Sequence, residues 1–131
     1  MACYDESMIV VIAESIRKKE FKHGEIPPAD LETILSSYGE GIFVPIKGES
    51  LPKASRLVKL YATTVQGARR IVFLVEVESG TGFFLFYRGK NDPIGKNISI
   101  KNPVFKKRLL TYLDLLSADI ASGRRTVYET K

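Results

Sequence analysis

The chain has 131 residues, 44% hydrophobic and 27% charged, with a net charge of +5; that is the composition of one globular domain large enough to bury a core without covalent staples. No apolar run approaches the roughly 20 residues of a membrane-spanning helix, and Asp5 and Glu6 ahead of the first apolar run have the wrong sign for a secretory leader. One cysteine, Cys3, excludes an internal disulfide; it reads as an incidental thiol and points to a reducing cytoplasm.

In chain order, residues 8–13 (MIVVIA) predict a strand, followed by a short helix whose Ile16 and Phe21 point inward and which His23-Gly24 ends. His23, the single histidine, stands beside a turn glycine among lysines and reads as a surface residue. Residues 27–39 predict a second helix, with prolines at its start, Gly39 at its end, and Leu31, Ile34, Leu35 and Tyr38 on one stripe. Pro45 confines the short run 42–46 to a sheet edge or a loop.

Residues 55–64 form the next predicted strand, and 71–77 and 83–87 form a hairpin around the reversal Glu78-Ser79-Gly80-Thr81-Gly82. Both hairpin strands are apolar at both parities, so they belong in the centre of a sheet covered on each side. Simple alternation puts Phe83, Leu85 and Tyr87 on one face and Phe84 and Phe86 on the other. Asn102-Pro103 opens the longest helix, to about Ser122, with Phe105, Leu109, Tyr112, Leu113, Leu116 and Ile120 repeating every three or four residues. The polar tail 124–131 reads as frayed. The expected fold is α+β: a small antiparallel sheet of about four strands, two N-terminal helices and a long C-terminal helix, in one domain spanning 1–131.

Charge is unevenly placed. Residues 51–110 hold 12 Lys and Arg against 3 Asp and Glu, while the rest of the chain holds 8 against 12. Such a block suits a polyanion such as nucleic acid; a solvated lysine-rich face is the bland alternative. The hairpin brings Arg69 and Arg70 beside Arg88 and Lys90, so four cations converge at one end of the central strands. With Lys59, Lys96 and Lys107, Arg69 and Arg88 form the expected nucleic-acid-binding set. His, Cys and carboxylates show no metal-ligand spacing, so neither a metal nor another cofactor is expected.

The pattern Lys47-Gly48, then Arg56-Leu57-Val58-Lys59-Leu60-Tyr61, then Gly67-Ala68-Arg69-Arg70-Ile71-Val72-Phe73-Leu74, then Gly82-Phe83-Phe84-Leu85-Phe86-Tyr87-Arg88-Gly89-Lys90 resembles the RelE/ParE superfamily of bacterial toxins, nearest its HigB-like branch. The long helix after the last strand and the sequence Arg88-Gly89-Lys90, in place of paired lysines, depart from that pattern. The resemblance implies a type II toxin that cleaves mRNA without a metal, generally on the ribosome, and that a cognate antitoxin neutralises; self-association is expected only through the antitoxin. It implies Arg70, Lys90 and Tyr87 as the catalytic set. Arginine can hold a phosphate but cannot act as a base, so Lys90 or Tyr87 would handle the proton. A tyrosine placed like Tyr87, on a face with Phe83 and Leu85, is more often core than catalytic, and Lys90 at a strand end is a common solubilising residue. Two rival readings stay open: a non-catalytic ParE-like toxin that grips a topoisomerase, and an unrelated small nucleic-acid-binding domain.

Overall fold

The structure, a computed structural model, describes residues 8–49 and 51–130; Cys3 lies outside the described residues. Its elements are β1 (Ile9–Ala13), α1 (Glu14–Glu20), a 3₁₀ turn (Lys22–Gly24), α2 (Pro28–Glu40), β2 (Val44–Ile46), β3 (Ser55–Thr64), β4 (Gly67–Glu76), β5 (Gly82–Gly89), α3 (Pro103–Ser122) and β6 (Arg125–Glu129). The α+β class and the long C-terminal helix are as expected. The sheet is not: it has six strands in the order β2-β3-β4-β5-β1-β6 and is mixed rather than antiparallel.

Strands β3, β4 and β5 form the expected meander. Val65-Gln66 joins β3 to β4 as a two-residue loop, with Gly67 at φ 116° where a side chain would be strained. The two additions flank β5. Val10 and Val11 of β1 pair in parallel with Gly82 and Phe83, and β6 lies antiparallel along the whole of β1. A parallel partner is reached through a long crossover and leaves no turn signature in the sequence. The segment read as a frayed tail is β6, and its Thr126-Val127-Tyr128 suits a pleated edge. Without it, the outer backbone groups of β1 would have no partner.

One irregularity sets which side chains face which layer. Val72 pairs with Phe86 but Phe73 pairs with Phe84, so Leu85 is an extra residue and the strand is bulged there. Alternation therefore resets. Phe84 and Tyr87 share the face beneath α2, where both stack on Phe21 and Phe84 meets Phe73 edge-on. Phe86 faces the opposite way and packs on Tyr112 and Phe105 of α3, with centroids 4.8 and 5.3 Å away. The bulge corrects the simple alternation, which put Phe84 with Phe86 and Tyr87 with Leu85. Both sheet faces are covered, as the doubly apolar strands required.

Helix α2 starts at Pro28 and passes through Gly39; it stops at Gly41, which takes the left-handed φ of 73°. On α3, Asn102 accepts from the Val104 amide at 3.1 Å and Gly123 closes the last turn at φ 76°. Phe105, Leu109, Tyr112 and Leu116 are buried as expected, Leu113 is half-buried, and Ile120 is 36% exposed. The position that turns inward beside it is Asp119, whose carboxylate accepts from the Ser15 amide at 2.7 Å and the Ser15 hydroxyl at 3.0 Å. The residue before α1, Ala13, has no side chain with which to cap it, so a carboxylate from another helix fills that role.

Leu109, 2% exposed on the sheet side of α3, should lose about 2–5 kcal/mol on mutation to Ala through the cavity left behind. Leu113→Ala should cost clearly less, because solvent already reaches that side chain. Denaturant unfolding of the two variants measures the difference.

Candidate nucleic-acid interface

The end of β5 is where sequence reasoning located the site, and one carboxylate organises it. Beyond its two pairs with β1, β5 has an open edge, and α1 runs alongside it. Glu20, the last residue of α1, accepts four hydrogen bonds: from the Tyr87 amide at 2.8 Å, Arg88 Nε at 3.0 Å, Arg88 Nη2 at 2.6 Å and the Tyr112 hydroxyl at 2.6 Å. Its side chain has no exposed surface, and that of Arg88 is 18% exposed.

Arg88 also reaches Asp92 at 3.3 Å, and Asp92 in turn accepts from the amides of Ile94 and Gly95. A Cβ on Gly95 would collide with the Gly89 carbonyl, so the loop needs glycine there to close onto the strand. Burial alone would lower the pKa of Arg88, but Glu20 and Asp92 outweigh it and secure the charged form. Burial, reinforced by Glu20, pushes the Tyr112 hydroxyl up to about 12.

Pairing places the remaining cations. Residues directly opposite in a ladder share a face, and Tyr61, Arg70 and Arg88 stand in one row across β3, β4 and β5. On that face the Arg70 guanidinium lies 4.5 Å from the centre of the Tyr61 ring and Lys59 Nζ lies 5.7 Å from it. Tyr61 is 54% exposed.

Arg69 is one residue along and therefore on the opposite face, where its guanidinium lies 5.8 Å from the Tyr87 ring. The Tyr87 hydroxyl donates to Asp30 Oδ1 at 2.8 Å. Burial, with Asp30 adding to it, pushes that hydroxyl up to about 12, so at neutral pH it is a proton donor and not a base. Lys90 follows the end of β5, its side chain exposed and its amide bonded to the Ala68 carbonyl.

The four cations thus occupy one end of the strands, but the sheet divides them. Arg70 and Arg88 lie on one face, and Arg69 and Tyr87 on the other. Arg88 is engaged by two carboxylates. Lys96 and Lys107 are exposed on the loop before α3 and in its second turn.

Around the sheet end, an open cleft of about 720 Å³ is lined by Lys19, His23, Asp30, Arg69, Tyr87 and Arg108, among others. His23 holds a left-handed φ of 68°, uncommon for a residue with a side chain. The cleft gives this residue, read from sequence as ordinary surface, a place on its rim. Glu20, His23 and Asp30 were not legible as neighbours of Tyr87: they come from the N-terminal helices, more than fifty positions away, and no spacing links them to it. Comparison with protein-family models, with curated proteins and with solved structures returns no match to this chain.

Two predictions follow from the carboxylates. Glu20→Ala leaves the largely enclosed Arg88 with one partner lost, and should destabilise the fold by about 3–5 kcal/mol in denaturant unfolding.

The second concerns acid. Burial raises the carboxyls of Asp92 and Asp119, but the Ile94 and Gly95 amides with Arg88, and Ser15 with Arg124, outweigh it and hold both below the ordinary 3.8. A lower pKa when folded means that their stabilisation is complete above 3.8 and is lost as pH falls through the folded values. Melting temperature should therefore drop steeply in that acid range, and Asp119→Asn should flatten part of the drop while lowering stability at neutral pH.

Proposed function

We propose that this chain binds single-stranded RNA across the face of β3, β4 and β5 that carries Lys59, Tyr61 and Arg70, as the toxin component of a bacterial toxin–antitoxin pair. The observation that carries the binding is Tyr61, a ring 54% exposed with the Arg70 guanidinium 4.5 Å from its centre. An aromatic side chain standing in solvent between two cations offers a stacking platform for an unpaired base while its neighbours hold the flanking phosphates. Stacking of unpaired bases on aromatic side chains exposed at a sheet, here at the end that α3 leaves uncovered, is a recurrent mode for RNA. The excess of cations between residues 51 and 110 supplies the long-range attraction.

The toxin assignment rests on the resemblance of the β3–β5 region to RelE/ParE toxins, and the reaction it implies has a division of labour here. Cleavage at a ribose 2′-hydroxyl without a metal needs a phosphate clamp, a base and an acid for the leaving 5′-oxygen. Arg70 is the clamp. Tyr87, protonated up to about pH 12, is suited to the acid role. A strand held at Arg70 reaches Tyr87 only by passing round the end of β4 and β5, where Lys90 stands and Arg69 faces the cleft. The antitoxin would then be an acidic segment that covers Arg70 and Tyr61 and competes with RNA.

The test is fluorescence anisotropy with a short single-stranded RNA at several salt concentrations. Tyr61→Ala should cost about 1–3 kcal/mol, one stacked base, and Arg70→Ala about 1.5–3 kcal/mol with a shallower salt slope. Lys18→Ala, on the far side of α1 and paired with Glu14, should bind like the parent. Equal affinity for duplex and single strand, or full affinity in a folded Tyr61→Ala, Arg70→Ala double variant, would refute the binding face. Growth arrest with mRNA cleavage on expression supports the toxin assignment; binding without either removes it and leaves an RNA-binding domain.

A further inference from the structure

The cleft at the end of the sheet is flanked by one arrangement used twice. On one side the Tyr87 hydroxyl donates to Asp30, and the Arg69 guanidinium lies 5.8 Å from the centre of that ring. On the other the Tyr112 hydroxyl donates to Glu20, and the Arg108 guanidinium lies 5.9 Å from the centre of its ring. Burial pushes both phenols up, and the arginine beside each opposes the rise, as a cation close to the phenol oxygen does. Arg69 belongs to β4 and Arg108 to α3, yet both line the cleft, which therefore reaches round the end of β5.

Its cations exceed its free carboxylates. Of the acidic groups in the lining, Glu20 and Asp92 bond to Arg88 and Asp30 accepts from Tyr87, which leaves Glu25. Facing it are Arg69, Arg108, Lys19 and Lys22, none of which pairs with a carboxylate among the described residues. His23 stands on the rim, on a turn that is pinned from three directions. Arg17 donates to the Gly24 carbonyl at 2.6 Å, the Gly24 amide donates to the Phe21 carbonyl at 2.9 Å, and the Phe21 ring stacks on Phe84 and Tyr87.

We infer that this cleft is a binding site for a phosphomonoester of nucleotide size. A terminal phosphate carries roughly −1.5 to −2 charges at neutral pH and three acceptor oxygens. Two guanidiniums can each engage a pair of those oxygens, with one oxygen shared. An internal phosphodiester offers less charge and fewer free oxygens, so it suits the pair of arginines less well. A guanidinium has five N–H donors, so leaning on a phenol leaves enough of them for an anion. Lys19 and Lys22 add attraction from the rim. The volume, about 720 Å³, falls within the roughly 300–1,000 Å³ of small-molecule sites and leaves room for the body that carries the phosphate.

A free nucleotide and the phosphorylated end of an RNA strand offer this same chemistry. The inference rests on the cleft and not on the RNA face, since neither Lys59, Tyr61 nor Arg70 belongs to its lining.

Isothermal titration calorimetry of the full chain with adenosine 5′-monophosphate tests it, with adenosine as the phosphate-free control. The nucleotide should bind saturably at one site, and adenosine should not. Arg69→Ala and Arg108→Ala should each weaken the nucleotide about tenfold or more, through the loss of charge-assisted hydrogen bonds. Arg108→Lys keeps the charge but not the fork, and should fall between Arg108→Ala and the parent. Arg108 is exposed on α3, so its variants decide the matter even where Arg69→Ala disturbs Tyr87. Lys18→Ala, on the far side of α1, should bind like the parent. Single-stranded RNA with and without a 5′-phosphate separates the two sources. A preference for the phosphorylated strand that Arg108→Ala removes puts an RNA end in the cleft; nucleotide binding without that preference assigns the cleft to free nucleotides. The result with the mononucleotide stands whether or not RNA binds the Tyr61 face. No saturable binding, equal affinity for adenosine and its monophosphate, or an affinity that both alanine variants leave intact overturns the inference.

Discussion

A single buried carboxylate ties the N-terminal half of the chain to the sheet and to the last helix. Glu20 sits where β5 outruns its neighbour β1, and it accepts the Tyr87 amide that a further strand would otherwise have bonded. Removing a carboxylate from water is costly, and one counter-ion alone seldom compensates. Here the compensation comes from a two-pronged arginine, a phenol and a backbone amide together. Among the described residues no buried side-chain polar atom lacks a partner. Three elements meet at that point, so α1 is fixed along the β5 edge, α3 is fixed over Phe86, and Phe21 is set against Phe84 and Tyr87.

The same constraint sorts the cations by role. Arg88 shares the row of Arg70 and Tyr61, yet Glu20 and Asp92 hold it, so it contributes order more than attraction for a polyanion. Among the described residues Arg70 has no such carboxylate, and its guanidinium lies 4.5 Å from the centre of the exposed Tyr61 ring. Arg69, on the reverse face, stands over Tyr87 instead. A cluster of four cations in the sequence becomes one structural arginine, one arginine on each face of the sheet, and a lysine at the strand end. Function is assigned to what the fold leaves available.

Much of this was legible from the residues. Asn102-Pro103 and Gly123 marked both ends of α3, because a cap, a first-turn proline and a left-handed glycine each have a local physical cause. The β3–β5 meander and the crowding of Arg69, Arg70, Arg88 and Lys90 at one end followed from apolar runs and short reversals. What was missed depends on partners distant in sequence. The parallel seat of β1 beside β5 has no local turn, and β6 looks like a polar tail until β1 offers it an edge. The extra residue at Leu85 reversed the parity of the strand that mattered most, and nothing in Phe83-Phe84-Leu85-Phe86-Tyr87 marks which residue bulges. Glu20 and Asp119 look like ordinary helix-surface acids; only the packed structure gives one an arginine and the other a helix start to cap.

The proposed division between an arginine held for structure and a ring-and-arginine pair that binds RNA is best tested by following amide and arginine side-chain resonances while a short single-stranded RNA is titrated in. The account predicts shifts concentrated at Lys59, Tyr61 and Arg70, continuing to Lys90, with Arg88 Nε unmoved in its bond to Glu20. Shifts centred on Arg88 or on the reverse face, with Tyr61 and Arg70 silent, would contradict it.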